Sequence, residues 1–359
     1  MTKKHQETPN FPLALSFDDV LLQPQFSEIN SRSEINLETK ISSKLTLQIP
    51  LISANMDTIT GVKMAIAMGN LGGMGILPRF DSPEIQVEKM TQIVEAGVIG
   101  AGSLGIKEGF LETAEKLVQA GATVLTIDVA HGHLKKAVDA TKKLAERFGK
   151  QITIISGVVG TYEGAADLFK AGADSIMVGV GPGSTCTTRI QTGHGVPQIT
   201  ALLECTKAKK EFGGTILANG GTKNSGDIVK ALAAGASAII SGFNLAGTDE
   251  APGEVIELSG KKYKEHNGST SAKEKMKHLE KYGKGKGSNY VKHVEGVESL
   301  VPYKGPVGKV VGGLMAGVRS GLSYSGAINV EELWRKARFM QITSAGMRES
   351  GAHDIIQLE

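Results

Sequence analysis

Short runs rich in Ile, Val and Leu recur along the chain at Pro50 to Ala54, Gly72 to Leu77, Val98 to Leu104, Thr123 to Asp128, Ile152 to Ser156, Ser175 to Val180, Thr215 to Asn219 and Ser237 to Gly242. Runs of this length and composition suit parallel strands buried on both faces, so the pattern predicts eight strands. Between them apolar residues fall at three- and four-residue spacing, as in Phe110, Ala114, Leu117 and Val118, or Ile199, Leu202 and Leu203, which predicts helices. An Ala-Gly pair precedes several strands, at Ala96-Gly97, Ala120-Gly121, Ala171-Gly172 and Ala234-Gly235, where glycine can take the left-handed conformation that ends a helix. Eight alternating units need parallel strands covered by helices and close naturally into a (β/α)8 TIM barrel, an α/β fold. An open doubly wound sheet is the alternative, but no strand-linked Gly-x-Gly-x-x-Gly opens the first unit.

The alternation stops between about 247 and 305, where Lys261, Lys262, Lys284, Lys286 and Lys292 crowd among Gly283, Gly285 and Gly287. Composition alone reads this as a solvated excursion. Its departure point after the eighth strand, on the face where βα loops build active sites, makes it a mobile flap inserted in one barrel domain spanning 1–359. A helical pattern resumes at Val307 to Leu322 and supplies the eighth barrel helix.

Composition narrows the function classes. A formal net charge of +3 on 359 residues gives no global field for nucleic acid or a membrane surface, so any phosphate recognition must be local. Two cysteines, Cys186 and Cys205, exclude a disulfide framework and a four-cysteine metal site, and suit a reducing cytosol. The polar stretch Met1 to Asn10 and the lack of any run of about 18 apolar residues predict a soluble cytoplasmic protein.

The most informative segment is Gly179 to Arg189, directly after the sixth strand. Its glycines bring bare backbone close to a ligand, and Cys186 near the tip, flanked by hydroxyls with Arg189 close by, stands where a thiolate nucleophile can be held. The competing reading is a small buried filler. Asn219-Gly220-Gly221 after strand seven and Gly242-Phe243 after strand eight match the usual phosphate cradle of these barrels, with plain turn glycine as the alternative. At the end of strand four, Asp128 can accept hydrogen bonds from a ligand or cap a helix, while His131 and His133 lack an obvious third metal ligand.

These residues resemble the IMP dehydrogenase and GMP reductase family over nearly the whole chain. The resemblance is carried by Phe17-Asp18-Asp19-Val20, Ser53-Ala54-Asn55-Met56-Asp57-Thr58, the Cys186 loop, Gly193 to Ile199 and Val301-Pro302-Tyr303-Lys304-Gly305. It implies a barrel whose Cys186 attacks carbon 2 of a purine ribonucleoside monophosphate, with Thr188, Asn289 and Tyr290 at catalytic positions. It also implies substrate contacts from Ser184, Asn219, Gly220, Gly221, Gly242, Phe243, Gly268, Ser269 and Glu295. A nicotinamide cofactor, NADPH or NAD, falls to Asp128, Val129, Ala130, Gly179 and Gly181. A monovalent cation, potassium in most of the family, falls to Gly181, Gly183 and Cys186 with Glu349, Ser350 and Gly351 of the tail. Members are typically homotetramers.

The family runs two reactions. Dehydrogenases usually carry regulatory modules between strands two and three, and here only about twenty residues separate Leu77 from Val98, as in reductases. Asn55 before Met56, Ser31 to Glu34 and Leu203-Glu204-Cys205 also look like reductases, whereas Gly247 to Glu254 and the tail, Arg348-Glu349-Ser350 with His353-Asp354, look like dehydrogenases. The dehydrogenases' Arg-Tyr pair that activates water matches Asn289-Tyr290 here, and asparagine offers neither base nor guanidinium. The reductases' flap glutamate is expected at that same Asn289. Asn219 stands where the family has Asp, and His266 where it has an aromatic residue. The resulting expectation is a GMP reductase, with an IMP dehydrogenase and a nucleotide-binding pseudoenzyme as alternatives.

Overall fold

The computed structural model describes residues 11–282, 292–352 and 355. Eight strands form one parallel sheet: β1 (Leu51–Ser53), β2 (Met74–Gly75), β3 (Ala101–Leu104), β4 (Val124–Asp128), β5 (Thr153–Val159), β6 (Ser175–Val178), β7 (Thr215–Asn219) and β8 (Ala238–Ser241). Seven neighbouring pairs are laddered, among them β8 with β1. The sheet closes where Leu77, just after β2, bridges Gly102 of β3, its amide donating to Ala101 and its carbonyl accepting from Ser103. All eight predicted strands are therefore present and the expected barrel forms.

Helices α1 (Val62–Asn70), α2 (Pro83–Glu95), α3 (Phe110–Gln119), α4 (Lys135–Phe148), α5 (Tyr162–Lys170), α6 (Gln198–Phe212), α7 (Ser225–Ala233) and α8 (Val307–Tyr324) cover the strands. Their apolar stripes face inward, as α3 shows by burying Ala114 and Leu117. Each fully buried Leu of this kind contributes about 1.5–3 kcal/mol. The helix ends follow the sequence signal, since Gly97, Gly121, Gly172 and Gly235 all have positive φ.

The N-terminal end of the barrel is plugged by an antiparallel pair, Thr39–Ser42 with Leu45–Leu47. Its groups bond to strand beginnings: Thr39 Oγ1 to the Ser237 carbonyl, Ser42 Oγ with Thr153 Oγ1, and the Ile41 carbonyl with Thr215 Oγ1. With that end sealed, the C-terminal end is left for function.

The lysine-rich excursion carries more structure than its composition suggested. Ile256–Leu258, Lys261–Glu265 and Leu300–Pro302 form a three-stranded antiparallel sheet, followed in chain order after the second strand by a flap helix, Ala272–Tyr282. Lys264 and Val301 of these strands are buried, Lys264 with its ammonium on the Thr248 and Ala251 carbonyls. A charged residue so satisfied reads as solvated in a composition count. No helix among the described residues is long and apolar enough to cross a membrane.

Candidate active site

A cleft of about 650 Å³ opens at the C-terminal end of the barrel. Gly179, Gly181, Gly183, Ser184 and Cys186 enter it from the loop after β6, Asn219, Gly220 and Gly221 from β7, and Gly242 and Phe243 from β8. The loops that the sequence singled out separately are thus brought to one place. Gly179 has a φ of 147°, and a Cβ there would stand 2.2 Å from the Asn219 carbonyl oxygen, so the loop can leave the barrel only with glycine at this position. Gly242 is less confined: its absent Cβ would make a tight contact with Met56 Sδ at 3.3 Å and an ordinary one with His266 at 3.6 Å.

Cys186 is half-buried and Cys205 is fully buried on α6, so the two thiols occupy different environments. Burial pushes the Cys205 thiol up to about 12, with Glu204 and Glu163 adding to the shift. Cys205 is therefore the packed filler, and Cys186 is the thiol in the cleft.

The flap returns to the Cys186 loop as an added strand. The Cys186 and Gly296 backbones form an antiparallel bridge, Thr187 donates its amide to the Glu295 carbonyl at 2.9 Å, and Val297 donates to the Thr185 carbonyl at 3.0 Å. Gly268 makes a third layer through its amide bond to the Val297 carbonyl. A Cβ on Gly268 would sit 3.0 Å from both Gly296 Cα and the Thr185 oxygen, so glycine at 268 is what lets three backbones approach. Gly268 supports the loop here, and neither it nor Ser269 is among the residues that line the cleft.

This strand sets the side chain of Glu295. Cys186 Sγ is 3.1 Å from Thr188 Oγ1, to which the thiol donates, and Thr188 Oγ1 donates in turn to Glu295 Oε2 at 2.8 Å. Sulfur, hydroxyl and carboxylate form a continuous hydrogen-bonded line along which protons can pass. The carboxylate was expected at Asn289, which with Tyr290 lies outside the described residues; the group that faces Thr188 is Glu295. Its sequence signal was the Glu-Gly pair, in which Gly296 permits the close strand and so aims the preceding side chain.

His266 lines the same cleft, its Nε2 3.3 Å from Ser184 Oγ. Burial, with the nearby Lys304 adding, pushes its imidazole down to about 4, so it is neutral at neutral pH.

Asp128 ends β4 on the other side of the mouth, with Val129 and Ala130 following it, and Arg79 Nε lies 3.4 Å from its carboxylate. Arg79, just past the end of β2, was missed by the sequence reading. His133 pairs with Asp167 at 3.0 Å, which gives it a structural partner. Glu349, Ser350 and Gly351 close a short helix, Ser344–Glu349, that packs against the turn Phe17–Asp19.

The chain matches the family model described as the IMP dehydrogenase / GMP reductase domain over residues 14–353. An IMP dehydrogenase from Cryptosporidium parvum is 38% identical over 392 aligned positions, covering 97% of this chain and 97% of the relative. A GMP reductase from Leishmania donovani is 31% identical over 485 positions, covering 98% of this chain and 99% of the relative. Among solved structures, a cysteine-to-alanine variant of GMP reductase from Trypanosoma brucei, in complex with guanosine 5'-monophosphate, has a TM-score of 0.88 at 31% identity, over 96% of this chain and 99% of that one. The Leishmania alignment is far longer than the 359 residues of this chain, whereas the Cryptosporidium alignment is only slightly so. A reductase can therefore carry a long insertion and a dehydrogenase can lack one, and the short connection between β2 and β3 does not separate the two activities.

Proposed function

This chain belongs to the IMP dehydrogenase and GMP reductase family of purine-nucleotide oxidoreductases, and we propose that its own reaction is the NADPH-dependent reduction of GMP to IMP and ammonia. The observation that carries this reading is the line from Cys186 through Thr188 to Glu295. The Cys186 proton moves to Thr188 Oγ1 as the hydroxyl proton moves to Glu295, leaving a thiolate and a protonated carboxyl. The thiolate bonds to carbon 2 of GMP. The carbon–nitrogen bond then breaks with its electron pair going to nitrogen, and Glu295 returns the proton through Thr188 so that neutral ammonia departs. NADPH, when bound, supplies the hydride that replaces the carbon–sulfur bond with carbon–hydrogen, which releases IMP and the thiolate.

The residues fit the groups the reaction needs. The phosphate of GMP is assigned to the glycine turns at Gly220, Gly221 and Gly242, where missing side chains let an anion approach the backbone, although the Gly220 amide itself donates to the Ile240 carbonyl at 3.3 Å. Asn219 can hold one ribose hydroxyl without charge. Asp128, half-buried and turned to the mouth, accepts hydroxyls of the cofactor, with Val129 and Ala130 beside it. A monovalent cation is assigned to the carbonyls of Gly181, Gly183 and Cys186; the Gly183 oxygen accepts the Cys186 amide at 3.1 Å and keeps a second lone pair. The tail residues Glu349, Ser350 and Gly351 are assigned to the same cation, in a homotetramer whose contacts would cover exposed Phe26 and Ile190, 87% and 82% accessible.

The second reading, IMP oxidation with NAD, is favoured by the 38% identity to the Cryptosporidium dehydrogenase. It requires water activation at the covalent intermediate, and Asn289 removes the guanidinium that the family uses. Acid quenching during turnover with GMP and NADPH, followed by peptide mass spectrometry, tests the proposal. A purine nucleotide should be found on the Cys186 peptide, and its absence under steady turnover contradicts the covalent route.

A further inference from the structure

A second group of ligand-type side chains lies where the flap helix meets the barrel. Glu274 and His278 stand four residues apart on the helix Ala272–Tyr282, so they share one face. Asp57 approaches from the loop after β1. One ligand atom from each of Asp57, Glu274 and His278 falls within 4.8 Å of the others. His278 Nε2 hydrogen-bonds Asp57 Oδ2 at 2.9 Å, a few tenths of an ångström closer than the spacing of about 3.3–3.6 Å that two ligands of a tetrahedral ion keep when each is bonded at roughly 2.0–2.2 Å.

The surroundings single this group out from ordinary surface carboxylates. Glu274 is 2% exposed and His278 9%. The imidazole is fixed by stacking on Phe80 at 4.1 Å between ring centroids and 8° between planes. Asn267 and Lys277 hold Glu274 Oε1 at 2.9 Å each, an orientation of the kind that outer partners give to a metal-binding carboxylate. Stability alone does not account for the arrangement, because the Glu274 carboxylate is taken out of water. Lys277 meets one of the two carboxylates, that of Glu274.

We infer that Asp57, Glu274 and His278 form a binding site for a borderline divalent transition-metal ion such as Zn²⁺. One nitrogen and two oxygen ligands suit Zn²⁺, Co²⁺ or Mn²⁺, whereas all-oxygen sets are the preference of Mg²⁺ and Ca²⁺. The bound ion would fasten the flap helix to the loop that carries Met56 into the cleft.

Zinc chloride titrated calorimetrically into the full-length Cys186→Ala protein, freed of metal by chelation and dialysis, tests this without interference from the cleft thiol. One equivalent should bind, with a rise in Tm, and both Glu274→Gln and His278→Ala in that background should weaken binding at least 10-fold. Glu274→Gln is nearly isosteric, so it keeps the test valid should His278→Ala disturb the flap, which circular dichroism reads directly. No binding to Cys186→Ala, or binding that survives Glu274→Gln, overturns the assignment.

Discussion

Thr188 and Glu295 are 107 positions apart in sequence, yet the Thr188 hydroxyl donates to the Glu295 carboxylate at 2.8 Å while accepting from the Cys186 thiol. The pair exists only because the flap comes back as a strand against the Cys186 loop. Thr188→Val removes the link between sulfur and carboxylate and should lower GMP-dependent turnover by about 10² or more, in the range of general acid and base assistance. Glu295→Gln keeps the shape but cannot hold the proton, so it should cost a similar factor in kcat. Steady-state kinetics across pH checks both; a change confined to KM would point to binding instead.

The two cysteines should separate cleanly. Iodoacetamide at neutral pH should label Cys186 and spare Cys205, whose thiol is buried and pushed up to about 12. Cys186→Ala should abolish turnover while GMP still binds, because cradle and nucleophile are different groups. Cys205→Ser should retain activity and lose about 1–3 kcal/mol of stability, as expected for a buried hydroxyl without full hydrogen bonding. Mass spectrometry of labelled protein and urea melts provide the readings.

The barrel was legible because its signals are local. Every strand run is a short apolar stretch, and glycines such as Gly97 and Gly121 mark helix ends through backbone geometry alone. The loops at Gly179 and Gly220 were legible for the same reason, since their positive φ favours glycine. Glu295 as the partner of Thr188 was not, because its role depends on strand pairing between segments more than a hundred residues apart. Arg79 was missed similarly: its contact with Asp128 joins the loops after β2 and β4, and nothing near Arg79 in sequence announces it. The flap misled in a different way. Its lysines suggested solvent, but Lys264 is satisfied inside, which residue counts cannot distinguish.

Acid should destabilise the protein through His266. Its folded-state pKa of about 4 lies below the usual histidine value of 6.5, so the unfolded chain binds more protons between those limits. Stability is full above about pH 6.5 and is lost as pH falls towards 4, by up to about 3 kcal/mol from this group. Urea melts at pH 5 and pH 7 should show a smaller difference for His266→Phe than for the wild type.

Carbonyl oxygens of the Gly181–Cys186 loop should select a large, weakly hydrated cation. Turnover should rise with potassium and respond poorly to lithium at equal ionic strength. Indifference to both over a broad concentration range removes the cation assignment without touching Cys186.

Product analysis of the unmodified enzyme tests the central claim most directly. Protein given GMP and NADPH should form IMP and ammonia in equal amounts, one of each per NADPH oxidised, while the same protein given IMP and NAD should form little XMP because Asn289 lacks the groups that activate water. Rapid XMP formation from IMP and NAD, with no ammonia from GMP, would contradict the account and assign the chain to the dehydrogenase reaction.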